Sequence, residues 1–277
     1  MSQAKALPDT WVSKSRNACA NCNLRAGCLP AELEAGELAQ FGNLVTPRHR
    51  VARGGTLYRA GNPLEALFVV RSGSLKSVVT DEEGRAQIMG FFLAGELLGL
   101  DGIGTDRHTC DAVALEDSQV CVIGYHQLED LSRELTDLQR QFHRIMSREI
   151  GRGYHVMMLL GRMHAEERLA TFLLNVSERL LARGYSPSQF LLRMTRDEIG
   201  SYLGMKLETV SRMFSRFQRE HIVEVHGKDI CLIDIGKLNG IMEGADADAP
   251  AVQHEAAAKG GKRHVELAPA PIVTAPH

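Results

Sequence analysis

The chain has 277 residues, 44% of them apolar and 24% charged, and a formal net charge of −2. That length holds two ordinary domains with real cores, and the composition is that of a soluble globular protein. The near-neutral balance excludes a uniformly basic nucleic-acid binder, so any such contact must come from a local patch. No run approaches 18 consecutive apolar residues and residues 1–18 carry no apolar core, so neither a membrane span nor a signal peptide is expected, and the location is expected to be cytoplasmic.

In chain order, residues 1–18 read as a loose arm leading into Cys19-Ala-Asn-Cys22-Asn-Leu-Arg-Ala-Gly-Cys28-Leu-Pro30. A two-residue gap lets Cys19 and Cys22 reach one metal centre from a tight turn, and the five-residue gap brings Cys28 round it, with Gly27 and Pro30 as turn formers. Thiolates select zinc, copper(I) or an iron–sulfur cluster. A fourth ligand is required, and Cys110, Cys121 and Cys231 are the candidates. In a cytosolic chain this grouping reads as metal or redox chemistry rather than as a disulfide framework. A short helix is expected over roughly Ala31–Phe41, with Glu32, Glu34 and Glu37 facing water.

From about Val45 to Ile123 short apolar runs alternate with glycine-bearing breaks: Thr56–Tyr58, Ala66–Val70, Ser74–Val79, Gln87–Phe92, Val113–Leu115 and Val120–Ile123. Strands at such spacing predict a β-sandwich or β-roll. After Gln127 the period becomes helical. Phe142, Met146, Ile150, Gly153, Met157 and Leu160 form one narrow stripe on a helix expected over Leu128–Arg162, roughly 50 Å long. A single seam on so long a helix suits pairing with a second copy. Gly151, Gly153 and Gly161 each cost about 1 kcal/mol against alanine, so the helix depends on packing. His164–Val176 is an amphipathic segment opening a second domain, Arg183–Pro187 is a loop, and from about Gly244 the chain reads as a disordered tail.

Met194–Phe217 has the shape of a helix-turn-helix. Thr195 and Glu198 make a capping box, Ile199 and Leu203 an apolar side, and Gly204 the tight turn. In the second helix Val210, Phe214 and Phe217 share the buried face, while Glu208, Ser211, Arg212 and Ser215 share the outer one. Arginine suits guanine, glutamate suits cytosine and serine is adaptable in the major groove. Ile222–Ile233 alternates about His226-Gly-Lys-Asp229, a hairpin wing with Lys228 at its tip. Thr195 and Lys206 complete the DNA-facing set. Leu191–Leu238 carries eight Lys/Arg against seven Asp/Glu, so the electrostatic contribution is local and salt-sensitive.

These features together resemble the FNR-like (fumarate–nitrate reduction) oxygen-sensing branch of the cyclic-AMP receptor protein superfamily. The marks are Cys19/Cys22/Cys28-Leu-Pro, Phe92-Leu-Ala-Gly-Glu-Leu-Leu-Gly99, Ala165-Glu-Glu-Arg-Leu-Ala170 and Met194-Thr-Arg…Glu208-Thr-Val-Ser-Arg212. The resemblance spans Asn17 to about Leu238 and implies an α+β architecture. Residues 1–30 would be a cluster-binding segment, 31–127 a cyclic-nucleotide-binding-like β-roll, and 128–162 a dimerisation helix. Residues 163–243 would be a winged helix-turn-helix and 244–277 a tail. It implies an oxygen-labile 4Fe–4S cluster, converting to 2Fe–2S, on Cys19, Cys22, Cys28 and Cys121, in a homodimeric transcription activator of anaerobic-metabolism genes that reads TTGAT-like half-sites in double-stranded DNA. Contact with RNA polymerase would run through Arg71–Ser74 and Asp81–Arg85, both expected as exposed turns.

Two departures stand out. The Arg–Ser pair that holds a cyclic-nucleotide phosphate in relatives is replaced by His108-Thr109, and Glu96 has no phosphate partner, so cyclic AMP is not expected to bind. Gly153 stands where relatives carry an acidic residue in mid-helix. The rival readings are a CRP-like regulator with a structural zinc on the four cysteines, and an iron–sulfur electron carrier or enzyme. Against the last, the chain has no phosphate loop, nucleophile elbow or paired-His motif, and it is expected not to be an enzyme.

Overall fold

The structure, a computed structural model, describes residues 19–247. The glycine-punctuated stretch forms two four-stranded antiparallel sheets facing one another as a β-roll. One contains β1 (Val45–Val51), β8 (Ser118–Gly124), β3 (Ala66–Ser72) and β6 (Leu97–Leu98), in that order. The other contains β2 (Thr56–Tyr58), β7 (Asp111–Ala114), β4 (Ser74–Thr80) and β5 (Ala86–Leu93). Every expected run lies in or overlaps a strand; β1 and the two-residue β6 were not among the expected runs.

Residues Ala66–Val70 of β3 are all buried, because both faces of that sheet are covered. Ala66, Phe68 and Val70 point into the roll with Tyr58, Leu75 and Val120. Leu67 and Val69 point the other way, onto Leu29 and Leu33 of the cysteine loop and Phe41, Leu128 and Leu138 of the helices outside. The β3–β4 turn needs Gly73: its φ is +84°, and a Cβ there would lie 2.3 Å from Ser118 Oγ.

Helix α1 (Ala35–Leu44) starts four residues later than expected, since Leu29 and Leu33 still belong to the cysteine loop and fill the core beneath it. Glu37 caps α1 by accepting from the Glu34 N–H at 3.0 Å. The single helix expected over 128–162 is two: α2 (Tyr125–Glu134) and α3 (Thr136–Arg162), broken at Leu135, which has extended φ/ψ of −107°/99°. Leu128, Leu131, Leu135 and Leu138 keep helical spacing across the break. The break is set instead by packing of Leu135 into the same core as its neighbours.

Beyond Met163 come α4 (Ala165–Leu181), β9 (Gln189–Leu191), α5 (Arg196–Leu203), α6 (Leu207–Arg219), β10 (Val223–His226), β11 (Asp229–Leu232) and α7 (Ile235–Ala247). Strand β9 joins the wing as a third strand beside β11, and α7 occupies the place where the tail was expected to begin. The arm 1–18 and residues 248–277 of the expected tail lie outside the described residues. The two lobes share a core: Ile88 and Phe91 of β5 pack with Leu169, Phe172 and Ile199 of the C-terminal lobe. Among the described residues no helix is long and apolar enough to cross a membrane.

Candidate metal centre and nucleic-acid interface

Each cysteine of the N-terminal loop sits at a tight backbone turn. The Cys22 N–H donates to Cys19 O (3.3 Å), the Arg25 N–H to Cys22 O (3.1 Å), and the Cys28 N–H to Arg25 O (3.0 Å). Arg25 closes the loop by donating to Pro30 O at 3.3 Å and Leu33 O at 2.6 Å. The loop is tied to α3 by Gln141, whose amide donates to Cys28 O at 3.2 Å, and by the Arg144–Glu32 ion pair.

Cys121 lies in the middle of β8 opposite Val69, on the outer face of the sheet. Its side chain lines one pocket with Cys19, Cys22 and Cys28; Phe41, Val45, Val69 and Ile123 form apolar walls, and Arg25 and Arg71 are the charged residues. Burial pushes the Cys19 thiol up to about 11, and Cys121 and Cys22 beside it add to the shift. Cys28, with its thiol enclosed by the pocket, is raised further by burial. Thiols so placed become thiolates only when a cation compensates them, which is the donor chemistry of a soft-metal centre. The four cysteines line the pocket together; among the described residues no three His, Cys, Asp or Glu are grouped closely enough to hold a metal ion. The other two cysteines do not line the pocket. Cys110 is buried inside the roll, its thiol pushed up to about 12 by burial and Asp101, and Cys231 is half-buried on β11 opposite Glu224.

In the C-terminal lobe, Thr195 Oγ1 accepts from the Glu198 N–H at 3.1 Å and Glu198 accepts from the Thr195 N–H at 2.7 Å, starting α5 as a capping box. Gly204 ends it in the left-handed region at φ +61°. Val210, Phe214 and Phe217 anchor α6, leaving Glu208, Arg212 and Ser215 exposed and Ser211 half-buried. The Ser215 hydroxyl donates back to Ser211 O at 3.0 Å. Lys206, preceding α6, and Thr195 are exposed. A residue that sequence reasoning did not single out, Arg196, lays its guanidinium 3.3 Å above the Phe214 ring centroid, and burial lowers its pKa to about 10. The wing turns at Gly227-Lys228, with Gly227 at φ +65° and Lys228 exposed, its ammonium donating to Arg193 O at 3.2 Å. Thus the structure gathers all seven expected DNA-facing residues onto one lobe.

The expected dimer stripe divides. Phe142 is half-buried against the β-roll core and Met146 is half-buried, because the first turns of α3 pack on their own domain through Leu138, Gln141 and Ile145. Ile150, Met157 and Leu160 are exposed, joined by Tyr154 and Met158, and a side chain at Gly153 would meet open space. The two turns expected to be exposed also differ. Asp81–Arg85 is an exposed hairpin tip closed by Arg85 on Asp81 at 2.6 Å. Arg71–Ser74 is only partly exposed: Ser72 is exposed, but Ser74 is buried and donates to Glu116 at 2.9 Å, and Arg71 lines the cysteine pocket.

Within the roll, His108 is buried with its ring stacked 3.7 Å from that of Tyr58, and Asp101 accepts from the Tyr58 hydroxyl at 3.3 Å and the Thr109 N–H at 2.8 Å. Glu96 is not idle: it is buried among Arg152, Arg179 and Arg183.

Residues 48–134 match the family model of the cyclic nucleotide-binding domain, and residues 167–241 that of the Crp-like helix-turn-helix domain. The chain is 48% identical over 224 residues to the transcriptional regulatory protein btr of Bordetella pertussis, covering 81% of this chain and 93% of the relative. It is 43% identical over 214 residues to the fumarate and nitrate reduction regulatory protein of Escherichia coli K12, covering 77% and 86% respectively. Among solved structures it is similar to FixK2 from Bradyrhizobium japonicum, with a TM-score of 0.65 and 30% identity over 70% of this chain and 96% of that one.

Proposed function

This chain belongs to the CRP/FNR family of DNA-binding transcription regulators, and on that premise we propose that it is an oxygen-responsive homodimer governed by a 4Fe–4S cluster on Cys19, Cys22, Cys28 and Cys121. The observation that carries this reading is the shared pocket: three thiols of a turn-rich loop and one thiol of a β-roll strand line the same apolar cavity. A cluster held there supplies an oxygen-reactive centre.

The chain's own residues supply the rest. Cys121 offers the β8 thiol of the set, while Arg25 closes the loop on Pro30 O and Leu33 O and Gln141 ties it to α3. The exposed Ile150–Leu160 face of α3 pairs with a second copy, which sets two α6 helices about one DNA turn apart over TTGAT-like half-sites. Glu208, Ser211 and Arg212 face base edges, and Thr195, Lys206, Ser215 and Lys228 face the backbone. The Asp81–Arg85 tip is the better placed of the two turns for RNA polymerase. Cyclic AMP is not a ligand on this reading, since His108, Tyr58 and Glu96 are engaged with the protein's own groups. Genes of anaerobic metabolism are the expected targets.

The test is the absorption spectrum and metal content of protein purified without oxygen, for the wild type, Cys121→Ser and Cys110→Ser. Wild type and Cys110→Ser should carry iron and sulfide with a broad band near 400 nm that bleaches in air; Cys121→Ser should not. Colourless protein with stoichiometric zinc would replace this reading by a structural clamp on a regulator with a different signal.

A further inference from the structure

Glu96 lies in the turn from β5 to β6, and its side chain is only 4% exposed. Arg179 of α4 and Arg183, just beyond its C-terminal end, reach it at 2.5 and 2.7 Å, and Arg152 of α3 at 3.4 Å. The same arginines grip the backbone beside it, Arg179 donating to Phe91 O at 2.6 Å and Arg183 to Ala94 O at 2.5 Å. On its other side the turn is bonded to β3. The Gly95 N–H donates to Val70 O at 2.7 Å, the Val70 N–H donates to Glu96 O at 3.0 Å, and Leu97 pairs with Val69. Val69, Val70 and Arg71 line the cysteine pocket, and Val69 stands opposite Cys121. One residue is therefore bonded through its backbone to the pocket wall and through its carboxylate to the first helix of the DNA-binding lobe.

We propose that Glu96 is a positioning residue for DNA recognition, fixing the winged-helix lobe on the β-roll and passing the state of the cysteine pocket to α4. A buried carboxylate gripped by guanidiniums tolerates little displacement, because each lost partner leaves a desolvated charge uncompensated. Strand β3 is stiff along its hydrogen-bond ladders, so a rearrangement at Val69–Arg71 moves the Glu96 backbone with it. A second contact between the lobes lies farther out on the β4–β5 hairpin, where Lys76 pairs with Glu198 at 2.8 Å and the Ile88 N–H donates to Ser201 Oγ at 3.0 Å. With the shared apolar core and the Arg193–Glu116 pair at 2.9 Å, the two contacts set the orientation of α5 and α6, and loss of Glu96 removes the buried charge that gathers the arginines of the inner contact. The docking role stands on these contacts alone, whereas the relay rests on the metal-centre reading.

The test is amide hydrogen exchange on the full-length protein, metal-free and after loading with iron and sulfide, for the wild type, Glu96→Gln and Arg183→Gln. In metal-free protein, Glu96→Gln should speed exchange in α4 and the β5–β6 turn by about tenfold or more. Loading should change α4 exchange in the wild type but not in Glu96→Gln, while the loop 19–34 responds in both. Unchanged α4 exchange in metal-free Glu96→Gln overturns the docking role, and an α4 that still follows loading in that variant overturns the relay. Should Glu96→Gln fail to fold by circular dichroism, Arg183→Gln decides, since it leaves Glu96 paired: a smaller change of the same sign supports the proposal, and none overturns it. A wild type that takes up no iron removes the metal-centre reading and the relay with it, while the metal-free comparison still judges the docking role.

Discussion

Arg212 and Lys228 are both exposed cations of the C-terminal lobe, yet their positions predict different failures. Arg212 lies on the outer face of α6, so Arg212→Ala should cost about 1–3 kcal/mol on the cognate palindrome and little on unrelated duplex. Lys228 lies at the wing tip, so Lys228→Ala should weaken all sequences alike and reduce the salt slope by about one. Fluorescence anisotropy on cognate and scrambled duplexes across a salt series separates the two; equal losses for Arg212→Ala would remove it from base reading. Glycines give a second contrast. Gly73 and Gly84 both have positive φ, but a Cβ at Gly73 collides with Ser118 whereas one at Gly84 meets open space. Gly73→Ala should lose roughly 2–4 kcal/mol in denaturant unfolding and Gly84→Ala only about 1 kcal/mol.

Among the elements, α3 carries the clearest unmet requirement. Its N-terminal half is covered by the β-roll, but Ile150, Tyr154 and Met157 are 54, 65 and 61% exposed on its C-terminal half. Two copies meeting there would cover these side chains, and Gly153 would let the backbones approach. Ile150→Glu should therefore leave helix content and the cysteine pocket intact while weakening self-association by at least about tenfold, because a charge would be buried in the seam. Sedimentation velocity of the metal-loaded protein tests it, and an unaltered dimer would place the seam elsewhere. Gly153→Asp should act in the same direction through like-charge repulsion across the two-fold axis.

At the scale of the whole molecule, the joint between lobes is electrostatic at its centre and should respond to acid. Burial by itself would raise the Glu96 carboxyl, but Arg179 above all, with Arg152 and Arg183, outweighs burial and holds it below the usual carboxylate value. A depressed acid stabilises the docked state fully above its unfolded value near 4.5 and loses that contribution as the pH falls through the lower native value. Glu149, the other carboxylate at the cluster, is pushed up by burial and protonates earlier; Tyr202 also faces the group but stays neutral throughout. Small-angle scattering between pH 6 and 3 should show the lobes separating toward the acid end in the wild type, and Glu96→Gln should have lost that step. A step of equal size in the variant would move the pH sensitivity to other groups.

Much of this architecture is written in relations between near neighbours. The spacing of Cys19, Cys22 and Cys28, the strand runs, the Thr195–Glu198 capping box and the buried face of α6 each depend on residues a few positions apart, where chain geometry dictates who can meet whom. What those residues alone left open were relations between distant segments. Three cysteines were equal candidates to complete the loop, and the fold brings Cys121 to its pocket because β8 lies under the loop and presents alternate residues outward. The break at Leu135 hides within an unbroken helical period, since it answers to a core assembled from α1, β1, β3, β6 and β8. Arg71 reads as part of a surface turn, yet it lines the pocket, and Glu96 reads as partnerless because its arginines come from distant segments whose approach no local pattern encodes. Periodicity and turn chemistry determined most of the strands and the helices of the helix-turn-helix; packing added the break at Leu135 and decided which charged and thiol side chains share a site, because burial is a property of surfaces that meet after the elements exist.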